Sequence, residues 1–448
     1  MSPLLLGVLG YVALQLVVGM WISRRIRTEE DYLLAGRSLG PWLATASIFA
    51  TWFGAETCIG AASEVYSRGW AGATHDPFGY ALCLLLAGVV FARALWRRGL
   101  VTLADLFRER FGANAERLAI VLMAPTSLLW AAAQIRAFGQ VLASVSGHDA
   151  AWMTALAAGV VIVYTVSGGI LADATTDIVQ GVALIVGLVV LLIAVVGSGA
   201  SPPAAAAAPA EPARPWLHVL NDWLVPILGS VTAQEMISRI LASRSPNLAR
   251  NATIGAAGIY VAVGLIPVTL GLYGAAMLPG LASPEQVLPA LAARHLGTVM
   301  HVVFAGALVS AILSTVDSAL LAASSVVVHN GVLRLMPAAS EGRKVLLNRV
   351  GVAIAGVAAY AIAFSADSVY DLVAQASAFG GAGLFVAMAA GLWDRKAVPA
   401  AGIAALATGA VVQLVGDYAL GWPNAFTASL VAAVGAYSTV TLFARFRG

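Results

Sequence analysis

The 448 residues are 60% hydrophobic and only 10% charged, where a water-soluble domain carries about 25% charged residues. A chain this apolar has too little polar surface to face water, which excludes a soluble enzyme or binding module and places it in a lipid bilayer. The net charge of +3 gives no reason to invoke nucleic acid.

Apolar stretches of about 20 residues recur along the chain, each long enough to cross a hydrocarbon core of roughly 30 Å. They lie near 3–22, 41–66, 73–95, 117–146, 150–166, 176–197, 216–240, 251–277, 297–327, 346–364, 368–391, 397–415 and 424–444. They predict an all-α integral membrane protein of about thirteen transmembrane helices. No connection is long enough for a soluble domain, so residues 1–448 read as a single membrane domain. The first stretch has no basic leader and its Arg24, Arg25 and Arg27 follow the apolar run, so it reads as an uncleaved helix. All Lys and Arg except Arg68, Arg136, Arg214 and Arg294 fall on or beside alternate connections: 23–40, 96–116, 167–175, 241–250, 328–345, 392–396 and the C-terminal tail. The positive-inside rule then puts the N-terminus outside and the C-terminus in the cytoplasm of an inner (plasma) membrane.

In chain order, the second stretch carries "FATWFGAETCIG", with Gly54, Thr57, Glu56 and Gly60 at bilayer depth. Such a helix can unwind locally, leaving carbonyls that an ion or a polar solute must satisfy. Cys58 and Cys83 both sit within spans, without metal-ligand spacing, and read as small packing residues. Asp76, at the outer end of the third span, is either interfacial or one of the groups at depth named below. The segment 198–215 is rich in Pro and Ala and reads as a flexible external connector. The seventh span repeats the interruption with Pro226, Gly229, Ser230, Gln234 and Glu235. Two interrupted helices five spans apart are what an inverted five-helix repeat requires, here 41–197 and 216–391, with 3–22 added before and 397–444 after. The connection 278–294 carries a short helix in this reading. Ionisable groups at depth by default mark a pathway or site; they are Glu56, His75, Asp76, Arg136, Asp177, Glu235 and Asp317.

The ninth span holds "GALVSAILSTVDSALLAASS". Positions 311, 314, 315 and 318 share one helix face, and a Ser/Thr pair there either back-bonds to its own helix or offers oxygens to a hard cation.

Five stretches in order, "DYLLAGRSLGPW", "FATWFGAETCIGAASEVY", "SGGILADATTDIVQG", "SRILASRSPNLARNA" and "SAILSTVDSALLAASS", resemble the sodium/solute symporter family. "DPFGYALCLLLAGVVFA", "LLWAAAQIRAFG" and "DSVYDLV" look most like its high-affinity choline transporter branch. The resemblance implies a LeuT-like fold and a Na+ site formed by the carbonyls of Ala50, Phe53 and Ala311 with the hydroxyls of Ser314 and Thr315. Asp177 matches a second sodium or exit site, the alternative being a helix N-cap or first-turn acid. Asp317 is a network residue. Trp52 and Trp130 match two aromatic positions that cradle a quaternary ammonium, while a third aligns with Ala233. Glu56 and Arg136 suit a zwitterion or a carboxylate, and Gln234, Glu235, Tyr370 and Gln375 are further candidate solute contacts.

The function implied is sodium-coupled symport of a small organic solute (an amino acid, a betaine- or choline-like amine, or another zwitterion) by alternating access, with one chain as the working unit. Carboxylate uptake and a transporter-fold sensor without net transport are the alternatives. No nucleophile–base pair, phosphate loop or metal cluster argues for an enzyme.

Overall fold

The computed structural model describes residues 3–199, 214–366 and 368–447 and is helical throughout. The connector expected at 198–215 lies outside the described residues apart from its ends. Among the described residues ten helices are long and apolar enough to cross a membrane, so long helices alone do not reach the expected thirteen. Pro3–Ser23 is helical as expected, and the second and seventh spans are each interrupted.

The first broken helix runs as Pro41–Trp52 and stops at Phe53, whose φ of −97° and ψ of 74° leave the helical region. Helical turns resume at Glu56, leave the helical region at Gly69 (φ 59°, ψ −145°) and again at the extended Asp76, and end at Trp96. Gly72 packs back against Glu64 at this bend, which separates the second span from the third. The second broken helix begins as Trp216–Leu224, widens at Val225–Gly229, tightens at Ser230–Thr232 and is extended at Ala233 before Gln234–Ala242. Pro226 contributes by removing one donor, and packing contributes too. A Cβ on Gly229 would lie 2.0 Å from the Ser377 carbonyl oxygen, so the interruption is held against Val369–Ala378.

The helix Thr298–Val327 is the axis of the molecule. Every residue from Ala307 to Val326 is buried, as expected of a helix apolar on all faces. It packs on Ala113–Ser146 and Ile170–Gly197. The latter begins six residues before the expected span, which takes Asp177 out of the first turn and leaves Asp173 there. Short helices that the sequence reading did not anticipate, Glu29–Leu34 and Leu103–Phe111, close one end of the bundle, both with capping boxes. The expected external short helix is present as Val287–His295.

At that end Asp105 accepts from the amides of Val101 and Thr102 at 3.0 and 2.9 Å and from Asn330 and Arg334 at 2.8 Å. Burial pushes its carboxyl up, but the His329 hydrogen bond and charge and the two amides outweigh it and hold it at about 2. A depressed carboxyl stabilises the fold fully above its unfolded value, near 3.8, and the benefit is lost as pH falls through 2. Asp105→Asn is expected to cost about 2 kcal/mol at neutral pH. Thermal unfolding should show wild type and variant converging as pH falls from about 4 toward 2.

Candidate functional site at the broken helices

Where the first broken helix meets Thr298–Val327, polar side chains replace leucine. Ala50, Phe53, Ala311, Ser314 and Thr315 are at most 2% exposed. Neither hydroxyl of the Ser/Thr pair is spent on its own helix. The Thr315 hydroxyl donates across the gap to the Ala50 carbonyl at 3.4 Å. The Ser314 hydroxyl donates to Asp177 Oδ1, and the other Asp177 oxygen accepts from Ser47 at 2.5 Å. Asp177 is therefore neither an N-cap nor a first-turn acid; it bridges both helices that flank the break.

The break itself is supported by a residue the sequence reading missed. Gln134 Oε1 accepts from the Ala55 amide at 2.8 Å, and its Nε2 donates to Glu56 Oε2 at 2.7 Å. An unsatisfied backbone amide at this depth costs several kcal/mol, so Gln134 makes the unwound turn tolerable. Gly54 lies where these groups converge: a Cβ there would meet Glu56 Oε2 and Thr315 Oγ1 at 2.6 Å and Gln134 Oε1 at 2.8 Å. Gly54→Ala should separate them, at a cost of about 1–3 kcal/mol. The expected result is a protein that still expresses but loses stabilisation by sodium chloride in a thermal-shift measurement.

Next to the hydroxyls lies a buried charge cluster in which Asp177 and Asp317 were expected and Arg239 and Asp173 were missed. Arg239, 1% exposed, donates through Nη2 to Asp173 and Ser318, through Nε to Ser47 at 3.1 Å, and through Nη1 to the Glu235 carbonyl at 3.1 Å. Asp177 stands 4.0 Å from the same guanidinium. Asp317, one turn from Ser314, accepts from Thr165 at 2.5 Å. One guanidinium against the two carboxyls of Asp173 and Asp177 leaves formal negative charge in a low-dielectric interior when both are ionised, an arrangement that favours a further cation.

On the other side of the break is an aromatic cluster. The rings of Trp52 and Trp130 are 5.2 Å apart, and Tyr80 lies 6.2 and 5.9 Å from them. His75 continues the chain, 5.6 Å from Tyr80 and 5.5 Å from Tyr370. Beyond His75 and Tyr370 a cavity of about 680 Å³ reaches the surface beside Asp371 and Gln375. It lies at the opposite end of the bundle from Asp105, and Arg68, Asp222 and Asp417 also line it.

The remaining expected contacts are dispersed. Arg136 is not at the aromatic cluster; it donates to the Ala366 carbonyl at 2.7 Å, on the cavity rim. Gln234 turns away from the cavity, accepting from the Leu103 amide at 2.8 Å and donating to Ser238 at 2.9 Å. Glu235 opens the second half of its broken helix, 3% exposed, without lining the cavity. Ala233 occupies the second break. Asp76 is 2% exposed and accepts from Thr57 at 2.7 Å and from Tyr260 at 3.0 Å.

A model of the sodium:solute symporter family matches residues 32–408. High-affinity choline transporter 1 of Drosophila melanogaster is 28% identical over 394 residues, covering 82% of this chain and 63% of that protein. The chain thus spans less than two thirds of that relative's length. The Homo sapiens counterpart is 27% identical, covering 82% and 69%. Among solved structures, a Na+-coupled sialic acid symporter in a substrate-bound, outward-open state superposes with a TM-score of 0.83 at 17% identity, covering 99% of this chain and 98% of that one. A complex of MhsT with L-phenylalanine gives 0.58 at 14%, covering 90% and 98%. The fold is that of LeuT-like transporters.

Proposed function

Because the chain belongs to the sodium:solute symporter family, we propose that it imports a small organic solute with sodium by alternating access. The proposed sodium ligands are the carbonyls of Ala50, Phe53 and Ala311 and the hydroxyls of Ser314 and Thr315, with Asp177 as a second site or exit position. One observation carries this reading: the Thr315 hydroxyl, from one half of the molecule, faces the Ala50 carbonyl beside an unwound turn of the other half. A hard cation suits such oxygens, and binding there ties the two halves together.

In this reading 41–197 and 216–391 are inverted repeats, and with 3–22 and 397–444 they make thirteen membrane helices. The N-terminus is outside and the C-terminus in the cytoplasm of the plasma membrane. The solute enters through the cavity bordered by His75 and Tyr370 and settles against Trp52, Trp130 and Glu56. Sodium and solute each raise the other's affinity because both favour the same arrangement of the broken helices. At a membrane potential of about 100 mV, one inward charge supplies ~2.3 kcal/mol, roughly 50-fold accumulation per sodium.

The test is a thermal-shift screen of amines, amino acids, betaines and carboxylates on the purified chain, in sodium and in potassium chloride. A compound that stabilises only in sodium identifies both cargoes together; stabilisation indifferent to sodium across the panel would refute the coupling.

A further inference from the structure

Resting on the sodium-coupled reading, we propose that the solute is an organic cation that retains an N–H bond, a protonated primary, secondary or tertiary amine, received by the Glu56 carboxylate against the rings of Trp52, Trp130 and Tyr80. Glu56 is 2% exposed. Its Oε2 accepts from Gln134, while Oε1 has no hydrogen-bond partner. No basic side chain among the described residues forms an ion pair with it. The Trp130 side chain also stands beside this carboxyl as a donor, so what Glu56 lacks is a counter-charge and a well-placed donor at Oε1. A protonated amine supplies both in one contact.

The surroundings narrow the class further. Ring faces attract a cation, and Trp52, Trp130 and Tyr80 stand in mutual contact beside the turn that carries Glu56. A second buried carboxyl, Asp76, accepts from Thr57, the residue after Glu56, and adds an acidic group on this side of the break. A solute carboxylate finds no partner in the cluster: Arg239 is held by Asp173, Ser318 and Ser47, and Arg136 reaches the Ala366 carbonyl at the rim. A quaternary ammonium would satisfy the rings but leave Glu56 Oε1 without a donor, and a buried acceptor left unmade is costly.

The experiment uses the purified full-length chain with a methylation series as probe: ethanolamine, N-methylethanolamine, N,N-dimethylethanolamine and choline. Each is titrated by thermal shift at pH 7 in sodium and in potassium chloride. The expected result is that the N–H-bearing members half-saturate at a concentration at least about tenfold below that of choline, the size of a charge-assisted hydrogen bond. Glu56→Gln should weaken the dimethyl compound about tenfold or more and flatten the series, with stabilisation by sodium alone confirming that the variant is folded. Should the variant fail to fold, the wild-type series decides. Choline binding as tightly as its dimethyl analogue, binding of none of the four, or a folded Glu56→Gln with unchanged preference would overturn the assignment. The same preference in potassium as in sodium would support the Glu56 contact while refuting sodium coupling, so the two failures are told apart.

Discussion

Changing Ser314 and Thr315 together to alanine will raise the sodium concentration for half-maximal stabilisation or uptake about 100-fold or more, with the helical fold retained. Two of the five proposed ligands are lost, each oxygen contact to a charge being worth about 1.5–3 kcal/mol, and each 1.4 kcal/mol is tenfold in affinity. The single changes should differ in kind. Thr315→Ala removes only the oxygen facing Ala50, so its effect should fall on sodium affinity. Ser314→Ala also deprives Asp177 of a donor and leaves that buried carboxylate less satisfied, so it should lower thermal stability as well. Radiolabelled sodium binding to the purified variants, beside their melting temperatures, separates the two. Wild-type sodium affinity in the double variant would refute the ligand assignment.

Arg239→Met should be the most damaging single change in the molecule. The guanidinium is held by Asp173, Ser318 and Ser47 and by the Glu235 carbonyl, all within the buried interior. Removing it strands Asp173 and Asp177 with no counter-charge. Breaking a buried pair from one side costs about 3–5 kcal/mol, although replacing both partners can be nearly neutral. The variant is expected to lose monodisperse behaviour in detergent, and adding Asp173→Asn should restore part of it. Size-exclusion profiles of the single and double variants check this. A well-behaved Arg239→Met protein would mean that the network does not hold the helices together.

How far these features were legible in the sequence depends on the range of the interaction. The break at Phe53 was visible because Gly54, Thr57 and Glu56 interrupt an apolar run locally, and the same holds for Pro226 and Gly229. The face shared by Ser314 and Thr315 follows from helical spacing alone. Gln134 was hidden because one amide in "LLWAAAQIRAFG" looks like any polar residue in a long helix; its role exists only once Ala55 is brought to it. Arg239 was absorbed into the tally of positive charges at one membrane side, since charge counting cannot tell a buried guanidinium from a loop one. Tyr80 and His75 lie far along the chain from Trp130 and Tyr370, and ring contacts at that separation leave no periodic trace. The partners of Asp76 were not legible because the chain bends at Gly69 and again at Asp76 itself, which brings its carboxyl to Thr57 and Tyr260. The start of the Asp177 helix was set too late because Ile170–Thr175 mixes Asp173 and Thr175 with apolar residues, and the burial of Asp173 against Arg239 is tertiary.

The central claim is that the two broken helices couple sodium to solute. Charge movement in proteoliposomes on a solid-supported membrane tests it most directly, with N,N-dimethylethanolamine and the other amines of the series applied as concentration jumps. The account predicts an inward current only when sodium and an amine are present together, and its loss in the Ser314→Ala, Thr315→Ala double variant. A steady current carried by sodium alone, or amine uptake of equal size in potassium, would contradict it.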